Sequence, residues 1–253
     1  MRQISYDGSF AGFLSAVADI YTYRIADPGF KGSTGSLFNE TYISVTSEEN
    51  VKRIWKSVIA RSSPDAGRKL HSAFLSELDG IEDLLYQYIK YQFAAKANIE
   101  KDYSHPAVLQ ISQTAKKVHR EKHRMEAFVR FKLTGDQLYY AVVEPDFNVL
   151  PLISKHFEKR YADQRWMIYD LKRKYGIYYD LHSVETVSVQ FDNAVLNNST
   201  LHTIHDANEE LYERLWQKYF SSVNIAARKN MKLHIQHMPR RYWKYLIEKH
   251  PAA

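Results

Sequence analysis

The segment VVEPDFNVLPLISKHFEKRYADQRWMIYD (residues 142–170) contains two apolar stretches separated by a helical pattern. Pro145 has no N–H and disfavours helix at the residue before it, so the first strand should end at Glu144. Four apolar residues then follow at helical spacing and predict the buried face of a helix: Leu150, Ile153, Phe157 and Tyr161. The second strand ends at Asp170. A strand, a helix and a strand in this order predict a β-α-β crossover with parallel strands.

Parallel strands place their carboxyl ends at one edge of a sheet, where ligands bind in α/β proteins. Glu144, Asp146 and Asp170 should then converge at that edge, beside the start of the helix. In a catalytic interpretation the three carboxylates act as general base or metal ligands, with His156 as acid or electrostatic partner.

A structural interpretation of the same residues stays open. Asp146 or Asn148 would cap the helix, and Pro151 would be tolerated in its first turn. Glu144 would pair with Arg124 or Arg130, and Asp170 would open the turn of the following DLKRK sequence. Structural ion pairs of this kind often resemble sites.

The rest of the chain predicts an α+β fold. A helical, mixed first half should pack on a mainly antiparallel sheet that contains one β-α-β unit, and basic C-terminal helices should close it. Period and capping predict helices at about 48–61, 66–96, 106–124, 206–222 and 239–249. Strands are predicted at 3–6, 42–45, 127–133, 137–144, 175–181 and 184–191. The Gly-rich residues 27–38 should form a loop, which lacks the ending of a phosphate-binding P-loop.

Length and composition limit the function classes. The 253 residues should form a single integrated domain (1–253), with a possible subdivision into 1–125 and 126–253. The absence of cysteine excludes disulfides, thiolate zinc sites, a cysteine nucleophile and an iron–sulfur cluster held by this chain. No apolar run is long enough to cross a bilayer, and the first residues show no signal peptide. We therefore expect a cytoplasmic protein without a membrane partner, and no cofactor or metal is predicted.

The sequence VHREKHRMEAF places His119 and His123 four residues apart on a helix. This spacing can hold a metal, but it supplies only two ligands and lacks the glutamate of the His-Glu-x-x-His pattern. A positively charged helix end is the alternative interpretation. Two arginines of the same stretch, Arg120 and Arg124, with Arg130 on the following strand, favour contacts to phosphate.

Positive charge is concentrated near the C-terminus, where residues 214–250 contain nine Lys or Arg and a single acid, Glu248. Aromatic residues are interleaved with these cations, as on nucleic-acid surfaces that neutralise phosphates and stack on bases. A solvated helix face is the alternative. The candidate nucleic-acid contacts, including one on the helix of the opening segment, are Arg120, Arg124, Arg130, Arg160, Arg240, Arg241, Lys244, Trp243 and Tyr245.

Several segments, taken in order along the chain, carry a family resemblance: YDGSF, HRMEAFVRF, EPDFNVLPLISKHFEKRYADQRWMIYDLKR, LWQKYF and MPRRYWKYL. Together they resemble the bacterial family called domain of unknown function 4130, also described as probable DNA metabolism proteins. The resemblance implies a neighbouring radical S-adenosylmethionine (SAM) protein with a helix-hairpin-helix region as partner. It also implies a relation to domains fused to uracil-DNA-glycosylase-like modules. It carries over no catalytic residue.

Three functions follow as hypotheses. The first is a DNA-binding accessory protein in DNA repair or base modification, which binds single- or double-stranded DNA and works with the radical SAM partner. The second is a carboxylate- or metal-dependent hydrolase or glycosylase that acts on nucleotides or nucleic acid. The third is a scaffold that binds only a protein partner through its C-terminal helices.

Overall fold

The computed structural model describes residues 2–30, 41–135, 137–188, Leu215 and 231–249, and of residues 232–234 it describes the backbone alone. The predicted α+β class is confirmed, with a parallel sheet of three strands and a mixed sheet of five. The chain divides into two compact units, unit 1 at Met1–Arg120 and unit 2 at Glu121–Ala253. The single integrated domain stays a prediction.

Unit 1 contains the parallel sheet, in the order β2-β1-β3. Its strands are β1 (Arg2–Ser5), β2 (Pro28–Phe30) and β3 (Thr41–Ile43). The prediction that residues 27–38 form a loop is wrong for β2, and residues 31–38 lie outside the described part. Phe30 explains the strand, because its side chain is buried and its N–H donates to Asp83 Oδ1 at 2.8 Å. These tertiary contacts outweigh the local turn preference of Pro and Gly.

Unit 1 also contains four helices that precede the helix at the unit boundary: α1 (Phe10–Thr22), α2 (Glu48–Ala60), α3 (Pro64–Phe74) and α4 (Ile81–Ala94). Ser9 caps α1 by accepting the N–H of Gly12 at 2.9 Å. The prediction of one helix over 66–96 is wrong, because the helix ends at Phe74 and a second helix begins at Ile81. Glu77 and Gly80 adopt positive φ angles of 53° and 75° there, which an α-helix cannot continue through.

Helix α5 (Pro106–Phe128) is longer than predicted and contains the boundary between the units. The predicted strand over 127–133 shrinks to β4 (Lys132–Leu133), since residues 127 and 128 remain helical. The Phe128 ring packs against Tyr242, with ring centroids 5.5 Å apart. Alternation alone could not reveal this contact, because its partner lies more than 110 positions away.

The sheet of unit 2 has the order β4-β5-β6-β7-β8. Its further strands are β5 (Tyr139–Val143), β6 (Trp166–Asp170), β7 (Tyr175–Tyr179) and β8 (Val184–Val187). Among the described strands of this sheet, only β5 and β6 pair in parallel, with Val143 opposite Asp170, and α6 (Leu150–Arg160) connects them. The predicted β-α-β crossover and the mainly antiparallel sheet are confirmed.

The apolar residues predicted from helical spacing form the buried face of α6 in the crossover. Leu150, Ile153 and Phe157 are fully or almost fully buried, as predicted, together with Trp166 of β6. Burial of each such side chain contributes about 1.5–3 kcal/mol. Tyr161 is half-buried instead and packs edge-on against Phe131, with centroids 5.3 Å apart. This apolar layer fixes the position of the strand ends that carry the candidate residues.

The described end of unit 2 contains α7 (Met231–His237) and two 3₁₀ helices, Arg240–Tyr245 and Ile247–Lys249. The α-helix predicted over 239–249 is therefore wrong, and the helix predicted over 206–222 lies outside the described residues. Leu246 is buried and extended, with φ of −104° and ψ of 108°, and it separates the two 3₁₀ segments. In the described part of the chain, no helix is both long and apolar enough to cross a membrane.

Candidate nucleic-acid interface and carboxylate network

Asp170 is fully buried at the carboxyl end of β6. Its Oδ1 accepts the backbone N–H groups of Lys172 at 2.9 Å and Arg173 at 3.1 Å. The Arg173 guanidinium donates to Oδ2 at 2.9 Å. The structural interpretation of Asp170 as the residue that opens the turn after β6 is confirmed, since all three donors belong to that turn.

Arg173 joins this turn to the loop after β5. Its guanidinium donates to the carbonyl oxygens of Pro145 at 3.1 Å and Asp146 at 3.2 Å. Lys172 Nζ also donates to the Asp146 carbonyl, at 3.3 Å. The two predicted strand ends therefore lie side by side, as the crossover requires, and hydrogen bonds from Lys172 and Arg173 to backbone carbonyls bridge the loops that follow them.

Neither Asp146 nor Asn148 caps α6, and the predicted cap is wrong. The N-cap residue is Val149, which forms no side-chain cap. A capping side chain accepts the N–H of the second or third helical residue, and Pro151 at the second position has none. Asn148 Oδ1 instead accepts the hydroxyl of Tyr175.

Glu144 lies just after β5 and is paired with the C-terminal segment. Its Oε2 accepts Lys244 Nζ and the hydroxyl of Tyr245, the latter at 2.8 Å. Pairing with Arg124 or Arg130, as predicted, is wrong. The hydrogen bonds from Lys244 and Tyr245 lower the pKa of Glu144. Burial, with the neighbouring Glu144 carboxylate, raises the pKa of Tyr245 to about 12, so Glu144 is ionised and Tyr245 protonated at neutral pH.

A buried carboxylate that sequence analysis did not single out, Glu121, organises the network. One oxygen accepts the hydroxyl of Tyr242 and the Asp146 N–H, the latter at 2.9 Å. The other accepts Arg241 at 3.0 Å and Arg124 at 3.5 Å. The sequence pattern could have indicated this burial, because Glu121 lies three residues after Val118 and four before Met125, and these buried residues define the apolar face of α5.

Residues 240–249 form what we call the basic strap. Besides the Glu121 bonds, Arg241 forms an ion pair with Asp146, in which its guanidinium lies 2.7 Å from Oδ2. Farther along the strap, Glu248 pairs with Arg130 at 2.8 Å, and the Glu248 side chain is almost fully buried. The strap is thus held at both ends by buried carboxylates, one on α5 and one of its own.

Cations and aromatic rings lie next to one another along the strap. Arg240 and Lys249 both lie near the Trp243 ring, at 5.8 and 5.2 Å from its centroid. Arg241 lies 4.5 Å from the centroid of Tyr242, and Lys244 lies 4.9 Å from that of Tyr245. Such separations are typical of cation–π contacts. Arg240, Arg241 and Lys244 are exposed, while Trp243 and Tyr245 are half-buried.

The structure brings together most of the predicted nucleic-acid contacts, but not all. Arg124 and Arg130 join the strap through Glu121 and Glu248. Arg160 ends α6 at the opposite edge of the sheet, near the start of β6, and its guanidinium lies 5.7 Å from the Tyr161 ring centroid. Arg120 is the last residue of unit 1 and is exposed.

The histidines lie beside a different carboxylate. His156 Nδ1 is 3.8 Å from Glu126, and His123 Nδ1 is 3.9 Å from the same side chain. Within the described ranges, no group of three or more His, Asp or Glu side chains could hold a metal ion. A catalytic role for Glu144, Asp146, Asp170 and His156 stays a prediction, as does the hydrolase function built on it.

Unit 1 contains a cavity of 330 Å³ beside the beginnings of α4 and α5. Polar residues from both helices line it, including Asp83, Gln87, Gln110 and Thr114. It contains none of the residues predicted to bind or to catalyse.

The model of the family described as "Domain of unknown function (DUF4130)" matches residues 79–248. The chain belongs to this family. The family resemblance predicted from the sequence is thereby confirmed. The DUF4130 match includes the whole carboxylate network and all of the basic strap except Lys249. Comparisons with curated proteins and with solved structures find no match.

Proposed function

We propose that this DUF4130 protein is a DNA-binding accessory protein in DNA repair or base modification, and that it acts with a radical SAM partner. The observation that carries the proposal is the basic strap. Three exposed cations, Arg240, Arg241 and Lys244, are interleaved there with three aromatic residues on a single 3₁₀ helix.

Such a surface suits a nucleic acid for two reasons. Lys and Arg neutralise backbone phosphates and release counterions, which favours binding at low salt. Aromatic rings beside them offer faces on which bases stack without regard to sequence. Arg240 is the strongest candidate for a phosphate contact. It forms no ion pair with any carboxylate of the described residues, and its guanidinium lies beside the Trp243 ring.

The radical SAM partner is included in the proposal because the family resemblance implies it. A radical SAM enzyme needs an iron–sulfur cluster held by cysteine thiolates, and this chain contains no cysteine. In a joint reaction the cluster would be carried by the partner. The DUF4130 chain would then supply DNA affinity and substrate position.

DNA binding is tested by fluorescence anisotropy with labelled single-stranded and duplex oligonucleotides over a salt series. We expect affinity to fall steeply with salt. Arg240→Gln should make the slope of log K against log salt shallower by about 1, the loss of one phosphate contact. Lys155→Gln is the matched control, since it removes one exposed charge from α6. Undetectable binding at low salt, or equal slopes for both variants, contradicts the proposal.

The joint reaction needs a second experiment. DNA is incubated with the chain, the radical SAM protein, or both, and its nucleosides are compared by mass spectrometry. A change that requires both proteins supports the proposal. A change produced equally by the partner alone removes this chain from the reaction, and co-purification with the partner without DNA affinity favours the scaffold hypothesis.

A further inference from the structure

Two kinds of ion pair hold the basic strap, and they differ in burial. In the inner pairs the Glu121 and Glu248 carboxylates are 2% and 1% exposed, while their partners Arg241 and Arg130 are 42% and 22% exposed, and Arg241 also belongs to an outer pair. The outer pairs are far more open: Lys244 and Glu144 are 58% and 40% exposed, and Arg241 and Asp146 are 42% and 50% exposed. Buried pairs are costly to break, whereas exposed pairs contribute little and weaken with salt. Among the ion pairs between described residues, the outer pairs can therefore exchange partners most readily.

The outer carboxylates occupy the cations that the proposed function assigns to phosphate. Glu144 accepts a hydrogen bond from Lys244 Nζ, and Asp146 forms an ion pair with the Arg241 guanidinium at 2.7 Å. A carboxylate and a phosphate oxygen use the same donors on Lys and Arg. A DNA phosphate that reaches these cations must replace the carboxylate and withstand repulsion from it.

We infer that Glu144 and Asp146 mask the strap, acting as internal phosphate mimics that a DNA backbone displaces from Lys244 and Arg241. This inference rests on the proposed DNA binding and adds its regulation. The buried contacts of Tyr242 and Glu248 keep the strap in place during the exchange. The mask therefore sets affinity without requiring the strap to unfold.

The first test removes the mask and leaves its shape. The double variant Glu144→Gln and Asp146→Asn should bind single-stranded or duplex oligonucleotides roughly tenfold more tightly than the unmodified chain at about 50 mM salt, with a smaller gain at higher salt. The control double variant, Asp163→Asn and Glu185→Gln, removes the same charge from two exposed residues elsewhere in unit 2. Circular dichroism confirms that each variant is folded.

The outcomes separate the inference from the proposed function. A gain confined to the first double variant supports masking. An equal gain in both double variants makes it an effect of net charge and overturns the inference. Unchanged affinity in both, with measurable binding by the unmodified chain, overturns masking but leaves DNA binding intact. No binding by any form removes both.

A double-mutant cycle gives a second readout, which uses single substitutions if the double variant fails to fold. Lys244→Gln should weaken DNA binding little in the unmodified chain, where Glu144 occupies the ammonium. In the Glu144→Gln background the same substitution should weaken binding severalfold, because a phosphate then reaches Lys244 without displacing the Glu144 carboxylate. Additive effects of the two substitutions on DNA affinity contradict masking. A Glu144–Lys244 pair with a purely structural role would show either no coupling in DNA affinity or coupling of the opposite sign.

Discussion

The hydroxyl of Tyr242 donates a hydrogen bond to the carboxylate of Glu121, and both residues are buried. Burial, with the adjacent carboxylate, raises the pKa of Tyr242 well above its usual value, so the phenol remains a donor across the physiological range. The pair anchors the basic strap to α5.

Tyr242→Phe should lower the free energy of unfolding of the chain by about 1–3 kcal/mol, because it leaves a buried carboxylate oxygen with one donor fewer. Urea unfolding followed by circular dichroism measures the change. Tyr178→Phe is the control, since it removes a hydroxyl from a half-buried ring of β7 in the same unit. If both substitutions lower the free energy of unfolding equally, the hydrogen bond to Glu121 stabilises the fold no more than an ordinary tyrosine hydroxyl does.

Asp170→Asn should be more damaging, at about 3–5 kcal/mol, because the Arg173 guanidinium would lose the charge that compensates it while only 9% exposed. Asp163→Asn, in the exposed loop after α6, should change stability by less than about 0.5 kcal/mol. The same urea titration compares them. A stable Asp170→Asn variant that loses only an activity would favour the catalytic interpretation over the structural one.

Gly176→Ala should destabilise unit 2 by about 1–3 kcal/mol. A Cβ at this position of β7 would lie 2.9 Å from the Ile168 carbonyl oxygen on the neighbouring strand and 3.3 Å from the Tyr169 ring. The backbone of β6 cannot withdraw without breaking its pairing. Thermal unfolding measures the loss, and an unchanged melting temperature would mean that the strands separate more easily than this geometry suggests.

Stability should also depend on pH through His71 in unit 1. Burial lowers the pKa of His71 in the folded state, whereas the unfolded imidazole gains a proton near its ordinary pKa of about 6.5. The unfolded state therefore binds more protons below that pH, so the free energy of unfolding falls as pH drops through about 6.5 toward the lowered folded pKa.

His71→Phe should remove this part of the pH dependence and preserve a ring beside Phe10, whose centroid is 5.0 Å away. His119→Phe is the matched control, because His119 is exposed on α5. Unfolding is measured at about pH 7.5 and pH 5.5. If the two variants lose stability equally with acid, burial of His71 is not the cause.

The local sequence pattern predicted the β-α-β crossover correctly because three separate features of the segment indicate the same structure. Pro145 ends a strand, Leu150, Ile153 and Phe157 share a helix face, and Asp170 opens a turn. Each of these signals acts over a few residues, so the sequence contains the information needed.

The partners of the candidate residues could not be predicted, because they lie far away along the chain. Glu144 had Arg130 and Arg124 as near cations, but its actual partner is Lys244. The cap at Asp146 or Asn148 failed because α6 begins at Leu150, which makes Val149 the N-cap residue and leaves both candidate side chains before it. Glu121 was missed because an acid among many basic residues resembles a solvated side chain until its burial is known.

The sequence separations within this network have a consequence for synthesis. Glu121 and Tyr242 are 121 positions apart, and Glu144 and Lys244 are 100 apart. At about 5–20 residues per second, seconds pass between translation of the sheet of unit 2 and emergence of the strap from the ribosome. Until then Glu121 and Glu144 lack their C-terminal donors and remain hydrated. A nascent chain therefore completes unit 2 only after the strap has emerged, and a translational pause before Tyr242 would prolong the exposure of the incomplete unit to chaperones and proteases.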